Sequence, residues 1–294
     1  MLNTLRNAFR KNIYLRSLVG YHAASSGLFD RIFKKYKLDE VWQKRTQEVC
    51  SSADNRFIPR VADAGLIRNG KQIMHNGLKI NLGSYYGPEY SQMLLLNKGV
   101  HEPQEERVFS AVLPTIPSGA VMIEMGAFWS FYSMWFNKEV PDAINYMIEP
   151  DSFNLGHGKR NFRLNGLKGN FVQGFISSKS ENSGTIPTIA IDDFVKSEGI
   201  SFIHMLHSDI QGFEYEMLQG AKTCFDKRMI GYVFISTHSD EVHAKCRNFL
   251  KDYGFEIVAE ADLKQTYSED GLIAARAPYF PGIQPIAISR KQRA

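Results

Sequence analysis

The chain has 294 residues, 44% of them hydrophobic and 22% charged, the profile of a globular protein with room for one substantial core, not of a disordered or fibrous chain. Its net charge of +4 is too mild to argue for a nucleic-acid partner, and no apolar run approaches the roughly 18–20 residues of a membrane span. Cys50, Cys224 and Cys246 lie far apart without CxxC spacing, which suggests neither a disulfide framework nor a zinc site and fits a reducing, cytoplasmic setting.

The N-terminal stretch MLNTLRNAFRKNIYLRSLVGYHAASS scatters basic residues among short apolar groups, with no continuous apolar segment or cleavage site of a secretory signal. It reads as a solvated helix with one face on the core, and a basic amphipathic helix of this kind can also rest on a membrane surface. Up to about Asn97 the texture is mixed, and the NG pairs and alternating apolar residues of NGKQIMHNGLKINLGSYYGPEY predict a short hairpin. HEPQEERVFSAVLPTI then predicts a helix with Pro103 in its first turn and acids around it. Beyond it, apolar runs alternate with helical segments: AVMIEM, INYMIEP, NFVQGFIS, SFIHMLHSD, IGYVFIST, FEIVAEA and GLIAARA. Short buried strands alternating with helices of ten or more residues predict an α/β fold, a mainly parallel Rossmann-like sheet of seven strands covered on both faces. The last two strands lie close together in sequence and should form an antiparallel hairpin at one edge. Two units are expected: a helical and hairpin extension over 1–99, which offers a surface for a homodimer, and an α/β domain over 100–294.

Ligands of open α/β sheets bind at the carboxyl ends of the strands, so the residues that follow each strand carry the chemistry. The first strand runs into Glu124, Gly126 and Ala127, where glycine permits positive φ and close approach of a ligand, or simply a turn. The second ends in Glu149, about 25 residues beyond Glu124, where the nucleotide fold places a ribose-binding acid ~20 residues past its glycine turn. The fourth delivers Asp209 to its tip, with Gly212 opening a turn and Glu214 starting a helix that buries Met217, Leu218 and Ala221. The fifth brings His238 to the neighbouring tip.

At these residues the sequence resembles the FkbM family of S-adenosylmethionine-dependent methyltransferases. The resemblance spans about His101 to Ala275 and rests on VMIEMGAFWSFYS, YMIEPD, TIAIDDF and above all HMLHSDIQGFEYEMLQGA. It implies a class I methyltransferase sheet, S-adenosylmethionine as donor, and oxygen atoms of sugars, glycans or natural products as acceptors. Donor contacts are then expected from Glu124, Gly126, Ala127, Phe128, Ser133, Glu149 and Asp151, with Phe175 bordering the adenine. Gln104 and Glu105, at a helix start, would reach the charged amino-acid end. Phe128, Trp129 and Phe131 would pack around a single-glycine turn, suited to a donor that has no pyrophosphate. Two positions depart from the pattern: Ser130 stands where a second glycine is usual, and His207-Ser208 replaces a basic residue before Asp209. His238 or Asp209 is the expected proton acceptor, His238 with a pKa near the ordinary value of about 6.5. In a second version the pair holds a divalent cation, magnesium or manganese. The rival readings are an NAD-dependent oxidoreductase, for which GxGxxG is missing, and a non-catalytic glycan-binding module.

Overall fold

A computed structural model describes residues 28–291, so the helix expected in the first 26 residues lies outside the described part. Helices α1 (Leu28–Lys34) and α2 (Glu40–Ser51) come first, α2 capped by Asp39, whose carboxylate accepts the Trp42 amide. Strands β1 (Ile67–Arg68), β2 (Lys71–Ile73) and β3 (Lys79–Asn81) follow, then helix α3 (Pro88–Leu96). The predicted hairpin is thus an antiparallel three-stranded meander. Asn69 and Gly70 turn its first corner with φ of 53° and 73°, the positive pair that a type I′ turn requires.

The α/β part follows in the predicted order: α4 (Pro103–Val112), β4 (Val121–Met125), α5 (Phe131–Glu139), β5 (Ile144–Glu149), α6 (Ser152–Leu164) and β6 (Asn170–Gln173). After β7 (Phe175–Ile176) and β8 (Thr188–Ile189) come α7 (Ile191–Ser197), β9 (Ile203–Ser208), α8 (Glu214–Gly220) and α9 (Lys222–Asp226). β10 (Ile230–Thr237), α10 (Asp240–Asp252), β11 (Glu256–Ala261) and β12 (Gly271–Arg276) complete it. The main sheet has the order β11-β12-β10-β9-β4-β5-β6, and β12 alone runs against the rest. This is the expected Rossmann-like sheet of seven strands, mostly parallel, with the antiparallel pairing at one side. NFVQGFIS is two strands, not one: β6 pairs with β5, whereas β7 leaves the main sheet and pairs with β8.

All eight residues of β10 are buried, as expected of a central strand covered on both faces. On one face the core is built by Val108, Phe109, Phe131, Phe136 and Phe162 of α4, α5 and α6; on the other by Ile191, Phe194, Met217, Leu218 and Leu250 of α7, α8 and α10. Met74, Leu78, Ile80 and Leu94 from the first hundred residues join the first of these cores. Side-chain oxygens of Asn165 and Asn161 accept the Lys79 and Asn81 amides, each at 2.9 Å, and so extend α6 onto the edge of the meander. Among the described residues no helix is long and apolar enough to cross a membrane.

Candidate functional site

Register builds the site. Met125 lies opposite Ser208, Ser208 opposite Ile235, and Thr237 opposite Gly271, so the residues just outside these pairs gather at one edge of the sheet. They are Gly126, Asp209, His238 and Asp270. The chain reverses direction across the sheet between β4 and β9, the switch point at which ligands bind in open α/β folds.

A cavity of ≈ 850 Å³ opens there, walled by Gly126, Phe128, Glu149, Asp151, Phe153 and Phe175 among others. Glu149 is 5% exposed, and its carboxylate accepts the Phe128 amide at 3.1 Å and the Asp151 amide at 2.9 Å. Burial raises its pKa, opposed by those amide bonds. A carboxylate offers about four acceptor positions, so these two amide bonds leave acceptor capacity for a ligand hydroxyl. Asp151 is occupied as the N-cap of α6, accepting the Phe153 and Asn154 amides at 2.7 and 2.9 Å. Phe175, 50% exposed, presents an apolar wall.

Gly126 has φ of 70°, and a Cβ there would stand 1.7 Å from the carbonyl oxygen of Asp209. The missing side chain therefore admits the β9 loop on one side, while Gly126 still lines both cavities of the cleft. Ser130, at the usual second glycine, keeps the left-handed conformation with φ of 61°. Trp129 and Phe131 stack on each other at 5.1 Å, and Trp129 stacks on Tyr85 at 4.2 Å. These rings build the far wall beyond the turn.

A second cavity of ≈ 170 Å³ adjoins the first and shares Tyr86, Gly126, Phe128, Asp209 and Gln211 with it. Ala127, Glu102, Glu124, His238 and Asp270 line it, with Tyr85 and Tyr90 from the N-terminal region. Glu124 accepts the Ser133 amide at 3.3 Å, and burial pushes its carboxyl up to about 7. Glu102 accepts the Tyr132 hydroxyl at 2.8 Å. Behind it, His101 and His75 flank the fully buried Glu106 at 2.7 and 3.0 Å.

His238 is surrounded by carboxylates. Its Nδ1 lies 2.8 Å from Glu214 Oε1; its Nε2 lies 3.3 Å from both Asp209 Oδ1 and Asp270 Oδ1, and 3.1 Å from the Gln211 amide. Burial works against its proton, but the bonds to Asp209 and Glu214 and the charges of Asp270 and Asp209 outweigh it and hold the imidazole at about 10. Burial also pushes Asp270 up to about 7. In this field of carboxylates the imidazole sits well above the ordinary value near which a base was expected to titrate.

Gln104 and Glu105 do not reach the donor cavity. The Gln104 carboxamide bonds the carbonyl of Ser289 and the amide of Tyr267 (2.6 and 2.8 Å), tying α4 to the C-terminal segment. Glu105 lies under the cavity floor, with His207 Nε2 at 2.8 Å and the Ser236 hydroxyl at 3.1 Å. Burial opposes charge on His207 and its bond to Glu105 more than restores it, whereas burial raises the Glu105 carboxyl, so a buried hydrogen-bonded His–Glu pair stands where a basic residue was expected. Asp270, Gln211 and Glu102 are site residues that the strand-tip pattern did not indicate, whereas Tyr85, Tyr86 and Tyr90 belong to the aromatic stretch LKINLGSYYGPEY. SEDGLIAA contained the signal for Asp270, an acid just before a strand, but only residues following strands were read as tips.

Residues 143–257 match the family model described as Methyltransferase FkbM domain. The similar solved structures include TrmK of M. capricolum with S-adenosylhomocysteine, at 15% identity over 59% of this chain and 69% of that one, TM-score 0.42. Precorrin-6y C5,15-methyltransferase of Geobacter metallireducens GS-15 gives 16% identity, coverage of 58% and 88%, and TM-score 0.41. Trm5b of Pyrococcus abyssi gives 15%, 70% and 55%, and 0.40. No curated protein sequence matches the chain. The matched residues run from β5 to the start of β11, within the seven-stranded sheet, and it is this stretch that is similar to a methyltransferase FkbM domain.

Proposed function

We propose that the chain is an S-adenosylmethionine-dependent O-methyltransferase acting on a hydroxyl of a sugar, glycan or natural product. The observation that carries this reading is the pair of joined cavities at the switch point, one ending on Glu149 and Phe175, the other on Asp209 and His238. A donor laid along them puts its ribose diol on Glu149, its adenine beside Phe175 and its sulfonium near Gly126. The acceptor then approaches from the second cavity. Its oxygen forms the new C–O bond as the C–S bond breaks, the electron pair returns to sulfur, and the hydroxyl proton leaves to solvent. Such a reaction needs alignment more than covalent help. Tyr85, Tyr86 and Tyr90 suit the apolar face of a sugar, and Tyr86 is 55% exposed despite a positive φ of 49°.

The NAD-dependent reading is disfavoured by the same turn. A pyrophosphate needs open backbone at its glycines, and here the Asp209 carbonyl fills the space beside Gly126. Calorimetric titration with S-adenosylhomocysteine and with NAD tests the proposal. Saturable one-to-one binding of the first alone is expected, and binding of NAD alone would overturn it.

A further inference from the structure

We infer that Asp209, His238 and Asp270 form a binding site for one divalent cation of the manganese and magnesium class, at the acceptor end of the cleft. The role of the ion there rests on the methyl-transfer reading; its binding does not. The sequence named Asp209 and His238, and the third ligand comes from the fold, because the antiparallel β12 carries the residue preceding it to the same edge.

Geometry carries the argument. One donor atom from each of the three side chains lies within 4.8 Å of the others. The separation of His238 Nε2 from each aspartate oxygen is 3.3 Å, and cis ligands about 2.1–2.2 Å from an octahedral ion are about 3.0 Å apart. Small rotations of the side chains would therefore close the site. The imidazole is already turned for it. Glu214, fully buried, sits at 2.8 Å from Nδ1 and also accepts the Gly212 amide at 2.9 Å, which fixes the ring and directs Nε2 at the two aspartates. A carboxylate behind a histidine is the usual outer support of a metal-binding imidazole.

The contacts of Nε2 point the same way. A single N–H cannot align with Asp209, Asp270 and the Gln211 amide together, and Asp209 Oδ1, the shielded oxygen of a side chain 38% exposed, has only the 3.3 Å approach of Nε2. A cation satisfies both aspartates at once, and the Gln211 amide, reversed to present its oxygen, offers a further ligand. One imidazole with two carboxylates is a hard, mixed N/O set, favouring manganese or magnesium over thiolate-seeking metals. Bound there, the ion would hold the acceptor oxygen and ease loss of its proton to solvent.

The test uses the full chain stripped with EDTA and titrated with Mn²⁺, free ion being read by electron paramagnetic resonance. One saturable site per chain is expected. Asp270→Asn should weaken it at least tenfold while S-adenosylhomocysteine affinity stays at the wild-type value, which also shows that the variant is folded. Glu214→Gln, which touches no ion, should weaken it about 10–100-fold. Absence of a saturable site, or equal affinity in wild type and Asp270→Asn, would overturn the inference. Mn²⁺ binding without S-adenosylhomocysteine binding would leave the cation site standing and remove the donor reading.

Discussion

Replacing Gly126 with alanine puts a methyl group where the β9 loop already stands. The added carbon would lie 1.7 Å from the Asp209 carbonyl oxygen and 2.7 Å from its carbon. Non-bonded heavy atoms settle about 3.5 Å or more apart and tolerate little less than 3 Å, so the two loops must part by roughly 1.3 Å. Asp209 is held from behind by its own amide, which donates to the Met125 carbonyl at 3.0 Å, so the strain falls on the β4–β9 junction itself. Left-handed alanine costs about 1–2 kcal/mol and overpacking about 1–3 kcal/mol more, together roughly 2–5 kcal/mol. Gly119→Ala separates the two costs, because its φ is 74° but its added Cβ meets nothing within 4 Å. Urea unfolding should show only the smaller loss for Gly119→Ala and both losses for Gly126→Ala. Misplacement by about 1 Å can cost about 10²-fold in turnover, so methyl transfer by Gly126→Ala should fall at least that far, with weaker S-adenosylhomocysteine binding by calorimetry. A Gly126→Ala protein with the stability of Gly119→Ala and wild-type donor affinity would refute the reasoning.

Glu149→Gln removes a charged acceptor of the expected ribose bonds, worth about 1.5–3 kcal/mol, so S-adenosylhomocysteine affinity should drop about 10–100-fold; unchanged affinity in calorimetry would remove Glu149 from the donor site. Glu106→Gln strands His75 and His101 around a neutral amide and should cost about 3–5 kcal/mol in urea unfolding, a loss under 1 kcal/mol counting against a buried ion network. Burial disfavours the His101 proton, yet Glu102 and Glu106 hold its pKa at about 10, above the unfolded value near 6.5. The stability it contributes is therefore complete below about pH 6.5 and lost as pH rises through about 10. The stability gap between wild type and His101→Gln should narrow over that window, and a gap constant from pH 6 to pH 10 would contradict this. A chain starting at Val100 loses Met74, Leu78, Ile80 and Leu94 from the core and should bind hydrophobic dye or fail to fold, whereas cooperative unfolding at the full-length midpoint would show that the N-terminal part is dispensable.

Local pattern was enough for the α/β framework and for the tips of the parallel strands. Strand and helix periods are written into neighbouring residues, and parallel strands all send their carboxyl ends to one edge. Glu124, Glu149, Asp209 and His238 could therefore be placed at a common cleft from the sequence, and they line its two adjoining cavities. The tertiary structure decided the rest, because each remaining point depends on a partner distant in the chain. Asp270 enters the site only because β12 runs antiparallel and presents its leading end. Gln104 and Glu105, neighbours on one helix, point about 100° apart, so one meets the C-terminal segment and the other the underside of the sheet. Gly126 is required by a carbonyl from a loop more than 80 residues away. The charge state of His238 follows from three carboxylates delivered by three different segments, and such a field exists only once the chain has folded.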